Sequence, residues 1–273
     1  MLDGTQRTFV QTRRGRIHVA GNGTGFPVLL LHQTPRSWDE YRDVLPILGR
    51  RYRAIAMDTV GFGDSERAAE NSIESWSDAA FALLDALDIE QAAIVGHHTG
   101  AVIALEMAAS QPGRVAALAL SSMSMIDVAR RHAHDDAEVI DEVAPDADGA
   151  HLVELWRRRQ PYYPTGGTEL LERYLIDAIK AGPLAAEGHR IVNRYQMELR
   201  LPKVHCPTMV IGADRDPHAY PSAVRVAGAI PGSALRVIEG GMLPLPDHMP
   251  ERFASVLMDF FNGVPLPGTV SLP

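Results

Sequence analysis

Cys206 is the single cysteine among 273 residues, so no disulfide can form within the chain and no multi-cysteine metal site is available. Basic residues are also in the minority: 26 Lys and Arg face 34 Asp and Glu, for a net charge of −8. A phosphate-backbone partner needs a cationic face to displace counterions, so nucleic acid is not expected as a ligand. Long hydrophobic runs are missing; the apolar stretches are strand-sized pieces such as "PVLLLH", too short to cross a bilayer. The start, "MLDGTQRTFVQTRRG", has no apolar signal-peptide core, which makes the cytoplasm the expected compartment. No Gly-x-Gly-x-x-Gly opens a helix after a strand, so no dinucleotide cofactor is expected.

What is present is 46% hydrophobic residues, enough for one globular domain with a sizeable core. Short β-branched runs alternate with amphipathic segments. "TFVQTRRGRIHVA" reads as a strand pair, followed by "PVLLLH", "AIAMD", "AAIVG", "VAALALS", "PTMVIGA" and "ALRVIEG" as further strands with helices between them. That alternation predicts an α/β fold with a mostly parallel sheet and helices on both faces. Ile73, Trp76, Ala80, Leu84 and Leu87 form one helical stripe, with Asn71 and Glu74 expected as its capping pair. Between residues 126 and 201 the alternation lapses. Helical segments such as "TELLERYLIDAIKAGP", stopped by Gly182 and Pro183, read as an inserted lid. The expected organisation is a core of 1–125 and 202–263, a lid of 126–201 and a tail of 264–273.

Five landmarks in order resemble the α/β-hydrolase superfamily. "LLLHQTPRSWDEY" is similar to the strand and loop that supply the oxyanion hole, and "MDTVGFGDSE" to the family's Asp-x-x-Gly-x-Gly-x-Ser turn. "GHHTG" stands at the nucleophile elbow, "PTMVIGADRDP" resembles the strand that ends in the acid, and "IEGGMLPLPDHMPERF" resembles the region of the catalytic histidine. The resemblance implies an α/β-hydrolase fold and places Asp216 as the acid. It also exposes two departures, because His98 stands where the serine nucleophile belongs and Met242 where the histidine belongs.

Without the serine and the histidine, the relay by which an acyl-enzyme forms and breaks down is lost. A thioether is not a base, so Met242 is expected only to pack against a ligand. An imidazole, with an ordinary pKa of about 6.5, moves protons well at neutral pH, and a carboxylate orients it. The expectation is therefore a His98/Asp216 acid/base pair, with Gln33 and Thr99 as backbone donors to an oxyanion by analogy with the family. It would catalyse water-activated hydrolysis first, or a lyase, decarboxylase or isomerase step second. The alternative is a small-molecule binding or receptor protein on a hydrolase scaffold. His97 and His32 are expected to be structural, while His218 and His248 are the candidates to replace the missing histidine.

The segment 126–201 brings aromatics and arginines together, a combination suited to a ring-bearing or carboxylate-bearing ligand. Trp156 and Tyr162 are the expected lid contacts, with His218 at the rim and Met123 as a flexible wall. Arg157, Arg158 and Arg159 cannot share one helix face, so most of them are expected to be solvated or paired with surface acids. His97 and His98 lack zinc-ligand spacing, so no metal is expected, and no other cofactor. The expected partner is a small molecule, bound by a monomer or homodimer that touches neither membrane nor nucleic acid.

Overall fold

The computed structural model describes residues 4–134 and 138–266. Eight strands form one sheet: β1 (Gln6–Thr12), β2 (Gly15–Asn22), β3 (Pro27–Leu31), β4 (Arg53–Met57), β5 (Ala92–His97), β6 (Val115–Ser121), β7 (Thr208–Ala213) and β8 (Ala234–Ile238). Their spatial order is β1-β2-β4-β3-β5-β6-β7-β8. The β1–β2 hairpin and the β2–β4 pair are antiparallel, and every pairing from β4 onward is parallel. A parallel sheet needs cover on both faces, and the strand sequences provide for it. Along β3, Leu29 and Leu31 turn to one layer of the core while Val28 and Leu30 turn to the other.

The first layer is completed by α1 (Ile73–Ala86) and α2 (Thr99–Ser110), the second by Tyr41, Leu45 and the terminal helix, whose Phe253, Leu257 and Phe261 are buried. The stripe on α1 packs as expected, but its cap does not. Ser72 is the N-cap and exchanges side-chain hydrogen bonds with Ser75 at 3.0 and 2.9 Å, while the Asn71 side chain accepts from the Trp76 indole instead. A serine hydroxyl one residue further on reaches the N3 amide, which leaves Glu74 no capping role.

Between β6 and β7 the described residues contain no strand. The chain forms α3 (Val128–His134), α4 (Ala150–Arg159), α5 (Thr168–Ala181) and α6 (Leu184–Arg194). Gly182, at φ +59°, ends α5 ahead of Pro183. A buried ionic knot ties α5 to the core: Arg36, from the loop after β3, donates to Asp177 at 2.9 Å and also meets Asp247, while Arg173 pairs with Asp39 and Asp247 at 2.7 and 2.8 Å. Of the expected tail, Leu266 packs into the second core layer, and 267–273 lie outside the described residues.

Candidate active site

The strand order reverses at β3, which has β4 on one side and β5 on the other. In open α/β sheets the crevice beyond the carboxyl ends of strands at such a reversal is where ligands bind. The loop after β3 and the turn after β5 both open there. The β5 turn is very tight: a Cβ on Gly96 would lie 2.1 Å from the Gly100 carbonyl oxygen, and one on Gly100 would lie 1.9 Å from that of Leu31. Only glycine fits at either position. Between them His98 adopts φ +47°, ψ −111°, a conformation that costs a non-glycine residue about 1–3 kcal/mol and that projects its side chain away from the strand.

That projection brings His98 Nε2 to 2.8 Å from Asp216 Oδ2. The contact is an ion-pair distance, set off the axis of the ring N–H, so neither atom completes a well-aligned hydrogen bond. Asp216 is fully buried, and its other oxygen accepts the backbone N–H groups of His218 and Ala219 at 3.0 and 3.2 Å. Burial alone would push its pKa up, but the neighbouring His98 and the His218 amide outweigh burial and hold the carboxyl below the ordinary range. His98 itself lines the cavity at the strand ends.

His97 is completely buried, with Nε2 2.8 Å from the Leu243 carbonyl and Nδ1 3.0 Å from the Ser121 hydroxyl. The carbonyl requires a proton on Nε2, and burial together with adjacent His98 pushes its pKa far down, so His97 is a neutral strut. His32 is fixed in the same way, between the Gln33 carbonyl and the Thr59 amide, and burial lowers its pKa too.

The expected oxyanion donor Gln33 is corrected by the structure. Its backbone N–H donates to Glu40 Oε2 at 2.9 Å, and its side-chain amide donates to Glu40 Oε1 at 2.6 Å. An amide already given to a buried carboxylate is not available to substrate. Thr34, the next residue and also in the cavity wall, has no described acceptor for its N–H, and the Thr99 N–H is one of the unpaired donors in the first turn of α2. These two donors and His98 border a cavity of about 270 Å³ that opens between the strand ends and the helices after β6.

Residues 27–241 match the alpha/beta hydrolase fold family. The chain belongs to that family. Over 110 residues it is 41% identical to the 2-hydroxymuconate semialdehyde hydrolase of Pseudomonas sp. (strain CF600), a stretch that spans 38% of this chain and 39% of that enzyme. The chain thus spans less than half the length of that curated relative. Among solved structures, an epoxide hydrolase from Vigna radiata superposes with a TM-score of 0.80 at 20% identity, covering 96% of this chain and 99% of that one. A thermophilic esterase from Thermogutta terrifontis, solved with malate bound, gives 0.77 at 25% identity over 94% and 98%.

Within this hydrolase-fold chain the remaining expected residues divide. His218 and Thr99 line the cavity. Met242 does not; Leu243 stands in the wall next to His98 and carries the carbonyl that holds His97. Met123 is buried in the first core layer, behind the wall and not in it. Trp156 and Tyr162 pack on an apolar cluster of Tyr163, Leu171 and Tyr174, and only Tyr162 approaches the site, its ring 4.7 Å from that of His218. His248 ends the short helical turn Leu245–His248, is absent from the cavity wall, and has its pKa lowered by burial.

The sequence reading missed Thr34, Glu40 and the arginines of α3, while the arginines of α6 belong to the group of lid arginines it noted between residues 126 and 201. Thr34 had a signal of a kind, since it directly precedes Pro35 in the loop; the others had none at the level of spacing. Among the described residues the one compact group of metal-ligating type is His18, Asp58 and Asp64. Their atoms are committed elsewhere: His18 Nδ1 meets Asp58 at 2.9 Å, Asp58 also takes the Trp38 and Asp64 amides, and Asp64 pairs with Lys180.

Proposed function

We propose that the chain is a hydrolase of a small organic molecule that uses His98 and Asp216 as an acid/base pair in place of a serine nucleophile. The observation that supports this reading is the 2.8 Å approach of His98 Nε2 to a buried carboxylate, in a residue that lines the cavity. The distance is within the range a general base and its orienting group need, and such contacts align further when substrate binds.

In this reading Nδ1 takes a proton from a water as that water attacks the substrate carbonyl. The imidazolium formed is balanced by Asp216, and the developing oxyanion receives the Thr34 and Thr99 amides. Nδ1–H then returns its proton to the leaving group, so that water is added across the cleaved bond and the histidine ends as it began. The helices from residue 126 to 201 cover the cavity as a lid, excluding bulk water and strengthening each of these charges.

The test is turnover across a panel of aryl esters, lactones and C–C-cleavable diketones by wild type and His98→Gln. A loss of roughly 10²–10⁴-fold in kcat is expected, the size of a general-base contribution. Unchanged hydrolysis in His98→Gln overturns the mechanism. Saturable binding of panel members with no product from the wild type overturns the catalytic reading in favour of a binding protein.

A further inference from the structure

The peptide unit between Gln33 and Thr34 carries the amide that the mechanism above assigns to the oxyanion, and it is held firmly from the Gln33 side. The Gln33 carbonyl accepts from His32 Nδ1 at 2.8 Å and from the Arg36 N–H at 2.8 Å. This peptide is trans, so its carbonyl and the Thr34 N–H point in opposite directions. Fixing the carbonyl on His32 and Arg36 therefore fixes the line along which the Thr34 N–H points.

Glu40 supplies a second hold. Its Oε2 accepts the Gln33 backbone N–H at 2.9 Å and its Oε1 the Gln33 side-chain amide at 2.6 Å. Glu40 is completely buried in the single helical turn Trp38–Tyr41. That turn is itself anchored at both ends. The Trp38 N–H donates to Asp58 Oδ1 at 2.6 Å, just past β4, and the Tyr41 hydroxyl donates to the carbonyl of Leu31, the last residue of β3, at 2.8 Å. The Glu40 carboxyl is thus carried on a support tied to the ends of two central strands. Without it the Gln33 N–H would be a buried donor with no acceptor, and residues 33 and 34 would be driven to turn toward water.

We propose that Glu40 is a positioning residue for the oxyanion site: by gripping Gln33 at two points it keeps the Thr34 N–H presented to the cavity beside His98. An oxyanion donor acts only when it already stands where the charge will develop, so a support behind the loop controls rate without touching substrate. The use of the Thr34 amide rests on the acid/base reading above; the grip on Gln33 does not.

The experiment compares wild type, Glu40→Leu, Glu40→Gln and Gln33→Met. Each is measured by steady-state kinetics on the aryl ester that wild type turns over fastest, and by NMR hydrogen exchange at the residue-33 amide. Glu40→Leu removes both acceptors and is expected to lower kcat by about 10–100-fold with KM nearly unchanged, the cost of misplacing one oxyanion donor. Glu40→Gln keeps an acceptor for the backbone N–H and should recover most of that loss. Gln33→Met removes only the side-chain bond and should fall between. Residue-33 exchange should be slow in wild type and Glu40→Gln, and faster by about tenfold or more in Glu40→Leu.

Wild-type kcat in Glu40→Leu, a loss confined to KM, or a Glu40→Gln protein as impaired as Glu40→Leu overturns the proposal. If Glu40→Leu does not fold, wild-type kcat and exchange in Gln33→Met overturn it instead. A wild type that turns over no ester removes the acid/base reading, and exchange then decides the grip: faster in Glu40→Leu upholds it, unchanged overturns it. Turnover lost in His98→Gln but intact in Glu40→Leu leaves the acid/base pair standing and removes the role of Glu40.

Discussion

Two aspartates in this molecule each meet a histidine Nε2 at 2.8 Å, one at the sheet and one among the inserted helices. Asp216 is held by its own loop: two backbone amides take one oxygen, and His98 is the side chain at the other. Asp141 is held by side chains, accepting from the Arg159 guanidinium and the Tyr174 hydroxyl as well as from His189. The first arrangement keeps the carboxylate in place through the backbone of its own loop, independently of the histidine. The second joins the segment around residue 141 to α4, α5 and α6, and its charge is already matched by an arginine. The same distance is thus reached by two different constructions, and the proposed mechanism assigns proton transfer to the first and cohesion to the second.

Removing partners separates the two most sharply. Arg159→Met is expected to destabilise the fold by about 3–5 kcal/mol, because it leaves Asp141 buried without its cation. Asp216→Asn keeps the oxygen that the two amides bind and should cost much less, while abolishing turnover. Denaturant melts of the two variants check this, and equal destabilisation would erase the distinction.

Acid gives the next largest effect. Both carboxyls are held below the ordinary range, so the stability each contributes is complete above an unfolded pKa of about 3.9 and is lost as the pH falls toward the lower folded value. His98→Gln removes the charge that lowers Asp216, which should flatten the loss of stability below pH 4; Asp141 remains and preserves part of the slope. An acid titration followed by circular dichroism in both proteins reads this, and an unchanged slope would detach Asp216 from His98.

The smallest expected effect concerns strain. His98→Gly relieves the positive φ, so a gain on the order of 1 kcal/mol in stability should accompany loss of activity. A lower Tm would mean that the His98–Asp216 contact contributes more to the fold than the strain costs.

The tight turn at His98 and the sheet were legible because each depends on neighbours close in sequence. Gly96, His98 and Gly100 form a turn whose geometry is set within five residues, and the two-residue alternation of β3 announces burial on both faces. Gln33 was misjudged for the opposite reason: its amide is claimed by Glu40 through a loop with no period to read. Leu243 replaces Met242 in the wall because the path of the chain after β8, and not the alignment of residue types, decides which side chain faces the cavity. Of the run Arg157–Arg159, only Arg159 turns to the cavity, while Arg158 pairs with Glu138 and Glu154 nearer the surface.

By itself the sequence determined the order of strands and helices and the need for glycine on both sides of His98. These follow from local sterics and residue chemistry. The tertiary structure decided that the Gln33 amide is given to Glu40, that several arginines line the cavity beside His98, and that one of two similar histidine–aspartate pairs lies at that turn. Those outcomes depend on side chains from segments up to 211 residues apart meeting in one place, as Arg36 and Asp247 do. Such meetings are set by helix packing against the sheet, for which no spacing along the chain is a guide.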